Sequence, residues 1–337
     1  MEPPKKQKEI LSVCATILDR MGNAPTPEDV AIMEEAHRKN PWFTQDNVQH
    51  ASRKWAEALN PADIDRWLQK FPETSAPKKV ALILAGNIPW VGLHDVLAVL
   101  VSGHQLLIKC ASDDATLIPY LLGQFPVSIQ QTIGFTADRI SDFDAVIATG
   151  SNNSARYFEA YFKDYPHIIR KNRNAVAVLD GNETAEQMEA LGRDLLSYFG
   201  KGCRNVTHIY LPQSFDLNMI FGGVYPLADI VNHHSYANNY DYYRALYLMN
   251  DIPFLENGFF LLKEDTAISS PLATAHYSFY ESLEDLEKGL QQHKDLIQCV
   301  VGQPIKNLPS FPLGEAQSPK LWDYADGVDT LAFLSRL

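Results

Sequence analysis

Cysteine is scarce in this chain: the four present, Cys14, Cys110, Cys203 and Cys299, lie far apart, and none belongs to a CxxC pair. That spacing excludes a disulfide framework and a thiolate metal or redox motif, and it suits a cytoplasmic protein with reduced thiols. Cations are outnumbered as well, 29 Lys and Arg against 41 Asp and Glu, for a formal net charge of −12. A nucleic-acid surface needs clustered cations to displace counterions, so no nucleic-acid partner is expected. No stretch reaches the roughly 18 uninterrupted apolar residues of a membrane span. The opening "MEPPKKQKEILSVCATILDRM" has a basic start but no long apolar run and no small-residue cleavage site, so it does not read as a signal peptide. The GxGxxG fingerprint of an ordinary dinucleotide fold is missing too.

What is present is a packed α/β chain, 46% hydrophobic over 337 residues, long enough for two domains. The first 75 residues have helical periodicity, as in "PEDVAIMEEAHRKN" and "NVQHASRKWAEALN", and "PETSAPKK" (72–79) reads as a linker. Beyond it the texture changes to strand, helix and strand: "VALILA" (80–85), "VGLHDVLAVLVSG" and "QLLIKC" form a βαβ unit with buried parallel strands. The alternation continues through the strand "DAVIATG" (144–150), a helix that Ser151 can cap, the strand "NAVAVLD" (174–180), a long amphipathic helix and the strand "VTHIYLP" (206–212). In the second half "FDLNMIFGGVYPLADIV" and "YDYYRALYLM" read as helices, and "GFFLL", "ATAHYSFY" and "LIQCVVG" as strands around the helix "SLEDLEKGLQQH". The tail "DGVDTLAFLSRL" reads as a terminal strand. The expected fold is therefore α/β with two doubly wound domains, an N-terminal helical segment and a C-terminal strand. Its expected parts are 1–168, 169–312 and a C-terminal return segment, 313–337.

Several residues have types and places that suit chemistry. Asn87, in the first βα turn "GNIPWVG", lies beyond a strand end, where open α/β sheets bind ligands; it can donate to an oxyanion or simply stabilise the turn. Lys109 ends the second buried strand and either snorkels to solvent or reaches a ligand. Gly150, Ser151 and the amides of the following helical turn can hold a phosphate group, and a plain N-cap needs only Ser151. Cys203, in "YFGKGCRN", is glycine-flanked between a helix and a strand and followed by Arg204. It is either an exposed nucleophile or a small core residue, and the other three cysteines fit the core better. The pair "NHHS" (232–235) has no carboxylate at ligand spacing, so no metal is expected.

Three separated segments, "LILAGNIPWVGLHDVLAVLVSGHQLLIKCASDD", "YFGKGCRNVTHIYLP" and "DYADGVDTLAFL", resemble in order the LuxC-family fatty acyl-CoA reductases of the aldehyde dehydrogenase superfamily. The resemblance runs from about residue 80 to the C-terminus. It implies an aldehyde-dehydrogenase-like fold with nucleotide-binding and catalytic domains, and an enzyme that uses NADPH to reduce a fatty acyl thioester to the aldehyde through an acyl-cysteine. On this resemblance Asn87 is the oxyanion-hole asparagine of an N-x-P motif and Cys203 is the catalytic cysteine. Lys109 binds the adenosine ribose or its 2′-phosphate, and Gly150 and Ser151 lie against the pyrophosphate. Ser112 stands where many NAD-preferring relatives carry a glutamate that would repel a 2′-phosphate, which leans the cofactor toward NADPH. The general-base glutamate of aldehyde oxidation would fall near His167 in "YPHIIRKNRN"; its replacement suits reduction, which needs no water attack. Arg204 is an accessory candidate beside the thiol, and His167 is either a second accessory residue with an acid–base role or a structural surface histidine. Acyl-CoA or a carrier-bound acyl group is the expected substrate, a short acyl-CoA or acyl phosphate the alternative one, and a non-catalytic acyl-binding protein the alternative role. The tail is the expected oligomerisation strand of a homo-oligomer, with an acyl-transfer protein as the other candidate partner.

Overall fold

The computed structural model describes residues 5–69 and 76–337, so part of the expected linker, 72–75, lies outside the described residues. The chain divides into two compact units, Met1–Asn172 with Lys320–Leu337, and Arg173–Pro319.

The first unit opens with four helices, α1 (Lys5–Asn23), α2 (Pro27–Lys39), α3 (Gln45–Ala58) and α4 (Pro61–Leu68). Each of the last three starts on a side-chain cap: Thr26, Thr44 and Asn60 accept the backbone N–H three residues on, and Pro27 and Pro61 occupy first-turn positions where no N–H is needed. Leu11, Cys14, Leu18 and Met21 recur at helical spacing on α1 and are fully buried, so Cys14 is a core residue and its thiol pKa is pushed up by burial.

The βα alternation follows with β1 (Lys79–Ile83), α5 (Leu93–Val101), β2 (Gln105–Lys109), α6 (Leu117–Gly123), α7 (Val127–Gln130), β3 (Ile133–Phe135), β4 (Ala145–Thr149), α8 (Asn152–Phe162) and β5 (His167–Arg170). All the strands are parallel, in the order β3-β2-β1-β4-β5. The chain runs to one side of β1 and then to the other, so the doubly wound sheet has its switch point between β1 and β4. Val80, Ala81 and Leu82 of β1 are buried on both faces of the sheet, as parallel strands require.

The second unit contains β6 (Asn174–Val178), α9 (Ala185–Leu196), β7 (Val206–Pro212), α10 (Asn218–Val224), α11 (His234–Met249), β8 (Leu255–Glu256), β9 (Leu261–Glu264), β10 (Thr274–Tyr280), α12 (Leu283–Gln292), β11 (Ile297–Gly302) and β12 (Ser310–Phe311). Its sheet order is β12-β11-β6-β7-β10-β9-β8, parallel except for the β8–β9 pair. α9 crosses α10 at glycines: a Cβ on Gly192 would lie 2.3 Å from the Gly223 carbonyl oxygen, and one on Gly223 would lie 2.2 Å from that of Met188. The helix expected over "FDLNMIFGGVYPLADIV" stops at Val224 and continues as a 3₁₀ turn, Tyr225–Asn232, because Pro226 has no N–H for an α-helical bond. The strand expected at "GFFLL" starts later, at Leu261, since the Asn257 side chain accepts the N–H groups of Phe259 and Phe260 and holds a turn with Gly258 at φ 94°.

The C-terminal tail corrects an expectation. In place of a strand, residues 325–327 form a 3₁₀ turn and Thr330–Leu334 a short helix, α13. Asp329 caps it by accepting the Ala332 N–H, and Leu331 and Leu334, three residues apart, are both buried, which is helical spacing. A helix offers no ladder edge, so Thr330–Leu334 is not the strand expected there. The tail is fastened by Arg170, which is 5% exposed: its guanidinium donates to Asp95 (3.0 and 2.6 Å), to the Ala325 carbonyl (2.7 Å) and to the Thr330 hydroxyl (2.9 Å).

Candidate functional site

In the first unit the candidate residues gather at the carboxyl edge of the sheet. Ile83 of β1 is paired with Lys109 on one side and Ala148 on the other, so Lys109, the loop that carries Asn87, and Gly150 all emerge from neighbouring strand ends. The Asn87 loop is rigidly held. Trp90 adopts φ 62°, is fully buried, and donates its indole N–H to Ser52 of α3 (2.9 Å). A left-handed tryptophan is costly and persists only where the surroundings over-determine it. The Gly86 carbonyl accepts from the Asn40 side chain (2.9 Å), and a Cβ on Gly86 would meet Ala111 and Asp114 at 3.1 to 3.2 Å.

Lys109 is half-buried and its ammonium donates to the Asp138 carbonyl (2.9 Å). Ser112 is exposed in a 3₁₀ turn and donates to Asp113 (3.1 Å), so a carboxylate stands beside the position that lacks the expected glutamate. Asp114 is buried; its carboxyl is pushed up to about 7 by burial, against the backbone bonds from Leu117 and Thr116 that pull it down. Next to it, Cys110 is half-buried and its thiol is raised to about 11, by burial and then by Asp114.

Ser151 caps α8, its hydroxyl accepting the Ser154 N–H (3.2 Å). Gly150 has no room for a side chain: a Cβ would lie 2.9 Å from Ser154 Cβ and 3.0 Å from the Phe158 ring. His167 does not join this group. It begins β5 in register with Val146, three residues short of Thr149 and therefore roughly 10 Å back along the strands. It is exposed, with its Nδ1 2.8 Å from the Tyr165 carbonyl.

In the second unit Cys203 lies in a four-residue turn between α9 and β7, closed by the Asn205 N–H on the Gly202 carbonyl (2.9 Å). The approach to it is left-handed: Tyr198, Phe199 and Gly200 have φ of 52°, 60° and 77°. Two non-glycine residues in that region cost about 1 to 2 kcal/mol each, so the reversal of direction after α9 is imposed by the fold. Arg204 turns away to the C-terminal strap of the unit, donating to the Ala316 carbonyl (3.4 Å) with its guanidinium 5.2 Å from the Phe311 ring centre. The same strap is held by the buried Asp194 of α9, which accepts from the Gly314 and Ala316 N–H groups (2.6 and 3.1 Å). Asn205, fully buried in the turn, was missed by sequence reasoning; the only hint was its place directly after Cys203 and Arg204.

Other candidates resolve as structure. His233 caps α11, and its ring lies 4.2 Å from that of Phe199. In the aromatic helix α11, Tyr236, Tyr240 and Tyr247 are buried, with Tyr236 donating to the Phe259 carbonyl and Tyr240 to Glu256. A cleft of about 480 Å³ opens at the carboxyl ends of β6 and β11, lined by Asp180, Glu183, Gln303 and Phe311 among others. Its carboxylates are engaged by backbone N–H groups and by the Gln303 side chain. Cys203 lies at the opposite, amino edge of that sheet, since Val206 is level with Ala175 at the start of β6.

No protein-family model matches the sequence, and no curated protein matches it. Solved structures do. Aldehyde dehydrogenase 21 from Physcomitrella patens, solved with the reaction product succinate, is 10% identical, with a TM-score of 0.69 over 98% of this chain and 83% of that one. An indole-3-acetaldehyde dehydrogenase complexed with NAD+ is 10% identical, with a TM-score of 0.64 over 93% and 73% of the two chains. A Mycobacterium tuberculosis aldehyde dehydrogenase complexed with NAD+ is 14% identical, with a TM-score of 0.58 over 85% and 70%. At such low identity the likeness speaks for architecture, and the architecture of this α/β chain is that of the aldehyde dehydrogenases.

Proposed function

We propose that this protein is a nicotinamide-dependent reductase of fatty acyl thioesters, with Cys203 as the acyl acceptor and a fatty aldehyde as product. The observation that carries the reading is the placement of Cys203. Cys14 and Cys299 are fully buried and Cys110 is raised by burial, whereas Cys203 stands half-buried in a hydrogen-bonded turn between a helix and a strand. At the position where the resemblance expects a water-activating glutamate, the chain has His167, an exposed edge-strand residue tied to Tyr165.

The Cys203 thiolate attacks the thioester carbonyl, and the role of oxyanion donor is assigned to the Asn87 carboxamide by its N-x-P motif. Loss of such a donor costs roughly 100- to 1000-fold in rate. As the tetrahedral adduct collapses, the C–S bond to the leaving thiol breaks, that thiolate takes up a proton, and the acyl group stays on Cys203. When bound, a reduced nicotinamide nucleotide would supply hydride to the acyl carbon on Cys203, the oxygen taking a proton to give the thiohemiacetal. The Cys203 thiolate is then expelled from the thiohemiacetal and the aldehyde departs. Lys109, Gly150 and Ser151 follow neighbouring strand ends at the carboxyl edge of the sheet, and this supports the reading that they would hold a nucleotide phosphate and ribose. Ser112 favours NADPH by removing a glutamate, and the adjacent Asp113 carboxylate favours NADH as a second reading.

The test is incubation with radiolabelled long-chain acyl-CoA, followed by NADPH or NADH. Covalent label that is lost in Cys203→Ala, together with nucleotide consumption, supports the reading; label retained in Cys203→Ala overturns it. Acylation without nucleotide consumption marks a non-catalytic acyl carrier. A series of acyl chain lengths, with acyl phosphate alongside, separates a fatty acyl reductase from a short-chain one.

A further inference from the structure

We infer that Asn205 is a positioning residue for Cys203: its carboxamide locks the turn that carries the thiol and occupies the carbonyl end of α9, so that the thiolate forms without facing those dipoles. The inference rests on the reading of Cys203 as the acyl acceptor, but it concerns the thiol itself and is measured there.

Asn205 is fully buried and every polar atom of its side chain is used. Its Oδ1 accepts the Gly202 N–H at 2.8 Å. Its Nδ2 donates to the carbonyls of Asp194 (3.0 Å), Leu195 (3.3 Å) and Ser197 (2.9 Å). Its backbone N–H closes the turn on Gly202, and its carbonyl accepts from Ala175 N–H in β6 (3.1 Å). Cys203 is thus fixed from both flanks, to the end of α9 and to the start of the sheet.

The electrostatic consequence follows from helix direction. α9 runs toward the cysteine and ends at Leu196, so it presents its carbonyl end, equivalent to about half a negative charge, to the region of the thiol. That end opposes a thiolate, as a helix N-terminus would favour one. Two N–H bonds of one carboxamide spread over three of those carbonyls offset the opposition, while the oxygen of the same group holds Gly202. A serine has one donor and an aspartate none; only an amide of this length serves both sides. The charged groups at this end of the packed elements are Lys201 and Arg204 on the turn, Arg193 and Asp194 near the end of α9, and Glu315 on the strap; Glu186 and Glu189 lie in the first two turns of α9, away from it. Of these, Arg204 is directed to Ala316 and Phe311, and Asp194 to Gly314 and Ala316.

The experiment is the pH profile of Cys203 alkylation by iodoacetamide, read by mass spectrometry in a Cys110→Ser background. The neutral variants Asn205→Ser and Asn205→Ala add no charge of their own. The expected result is an upward shift of the thiol midpoint by about one unit, so that alkylation at neutral pH slows roughly tenfold. Unchanged midpoints in folded variants, with only a lowered melting temperature, overturn the inference, because a merely structural asparagine would behave so. Should both variants fail to fold, hydrogen exchange of the unaltered protein decides: a Gly202 amide as protected as those of β7 supports the inference, and one exchanging like an open turn overturns it. Cys203 failing to take an acyl group, with the alkylation shift present, would sink the proposed activity and leave the positioning role standing.

Discussion

Arg170 and Asp95 form a two-bond ion pair, 3.0 and 2.6 Å, with both residues about 5% exposed, and Arg170 alone ties β5, α5 and the C-terminal tail together. Removing one member leaves a buried charge without its partner, which typically costs about 3 to 5 kcal/mol, more than the pair contributes over an apolar replacement. Arg170→Met is therefore expected to destabilise the first unit by about that amount. The double variant Arg170→Met with Asp95→Leu should recover much of the loss. Denaturant unfolding of the two variants beside the parent protein measures both.

Two glycines with positive φ separate backbone strain from steric conflict. Gly103 has φ 78° and open space around its missing Cβ, whereas Gly302 has φ 92° and a Cβ there would lie 2.3 Å from the Val178 carbonyl oxygen. Gly103→Ala should cost about 1 to 2 kcal/mol, the left-handed penalty alone. Gly302→Ala should cost about 2 to 5 kcal/mol, since the collision is with backbone that cannot rotate aside. Equal melting-temperature losses for the two would contradict this division.

His208 should contribute an acid-sensitive part of the stability. It is fully buried on β7, with Nδ1 2.9 Å from the Ala267 carbonyl and Nε2 2.8 Å from the Ser278 hydroxyl, and burial holds its pKa down to about 4 against the opposing pull of the Ala267 bond. The unfolded chain takes up this proton near pH 6.5 and the folded one only near 4, so stability falls as pH drops through that window, by about 1.4 kcal/mol per unit. Asp114 and Asp194, raised to about 7, act with the opposite sign, gaining stability as pH falls from about 7 toward 4. The informative quantity is thus the difference curve: the stability of His208→Gln relative to the parent should rise as pH falls from 6.5 to 4, by equilibrium unfolding at each pH.

With a nicotinamide nucleotide bound as proposed, its preference should respond to the charges after β2. Asp113→Asn removes the carboxylate beside Ser112 and should strengthen NADPH binding relative to NADH by roughly fivefold, as expected from about 1 kcal/mol between unit charges 4 Å apart in water. Lys109→Met should weaken NADPH more than NADH. Fluorescence titration of the two nucleotides measures each ratio, and parallel changes for both would remove these residues from the specificity of the site.

The strands and helices written in strong patterns were legible in the residues. Buried runs such as "VALILA" and "VTHIYLP" gave β1 and β7 to within two residues, and Ser151 does cap α8. The short or edge strands were not: β3, β5, β8 and β12 have two to four residues each, too few for a period to register. The tail misled because "LAFL" is a short apolar run that periodicity alone cannot assign to strand or helix, while the deciding features, the Asp329 cap and the anchoring of Thr330 by Arg170, are tertiary or one-residue signals. Of the residues proposed for function, Cys203, Asn87, Lys109 and Gly150 could be named from their places at element ends. Asn205 could not, because its four side-chain bonds reach back as far as Asp194, a connection invisible until the turn is folded.

The fastening of the tail sets the order in which the molecule can be finished during synthesis. Ala325 and Thr330 are made 155 and 160 residues after Arg170. At about 5 to 20 residues per second the nascent first unit waits roughly 8 to 30 s, while all of Arg173–Pro319 is translated. Through that interval its Arg170–Asp95 pair has no tail above it, so a ribosome that stalls anywhere in the second unit leaves an unfinished first unit as well.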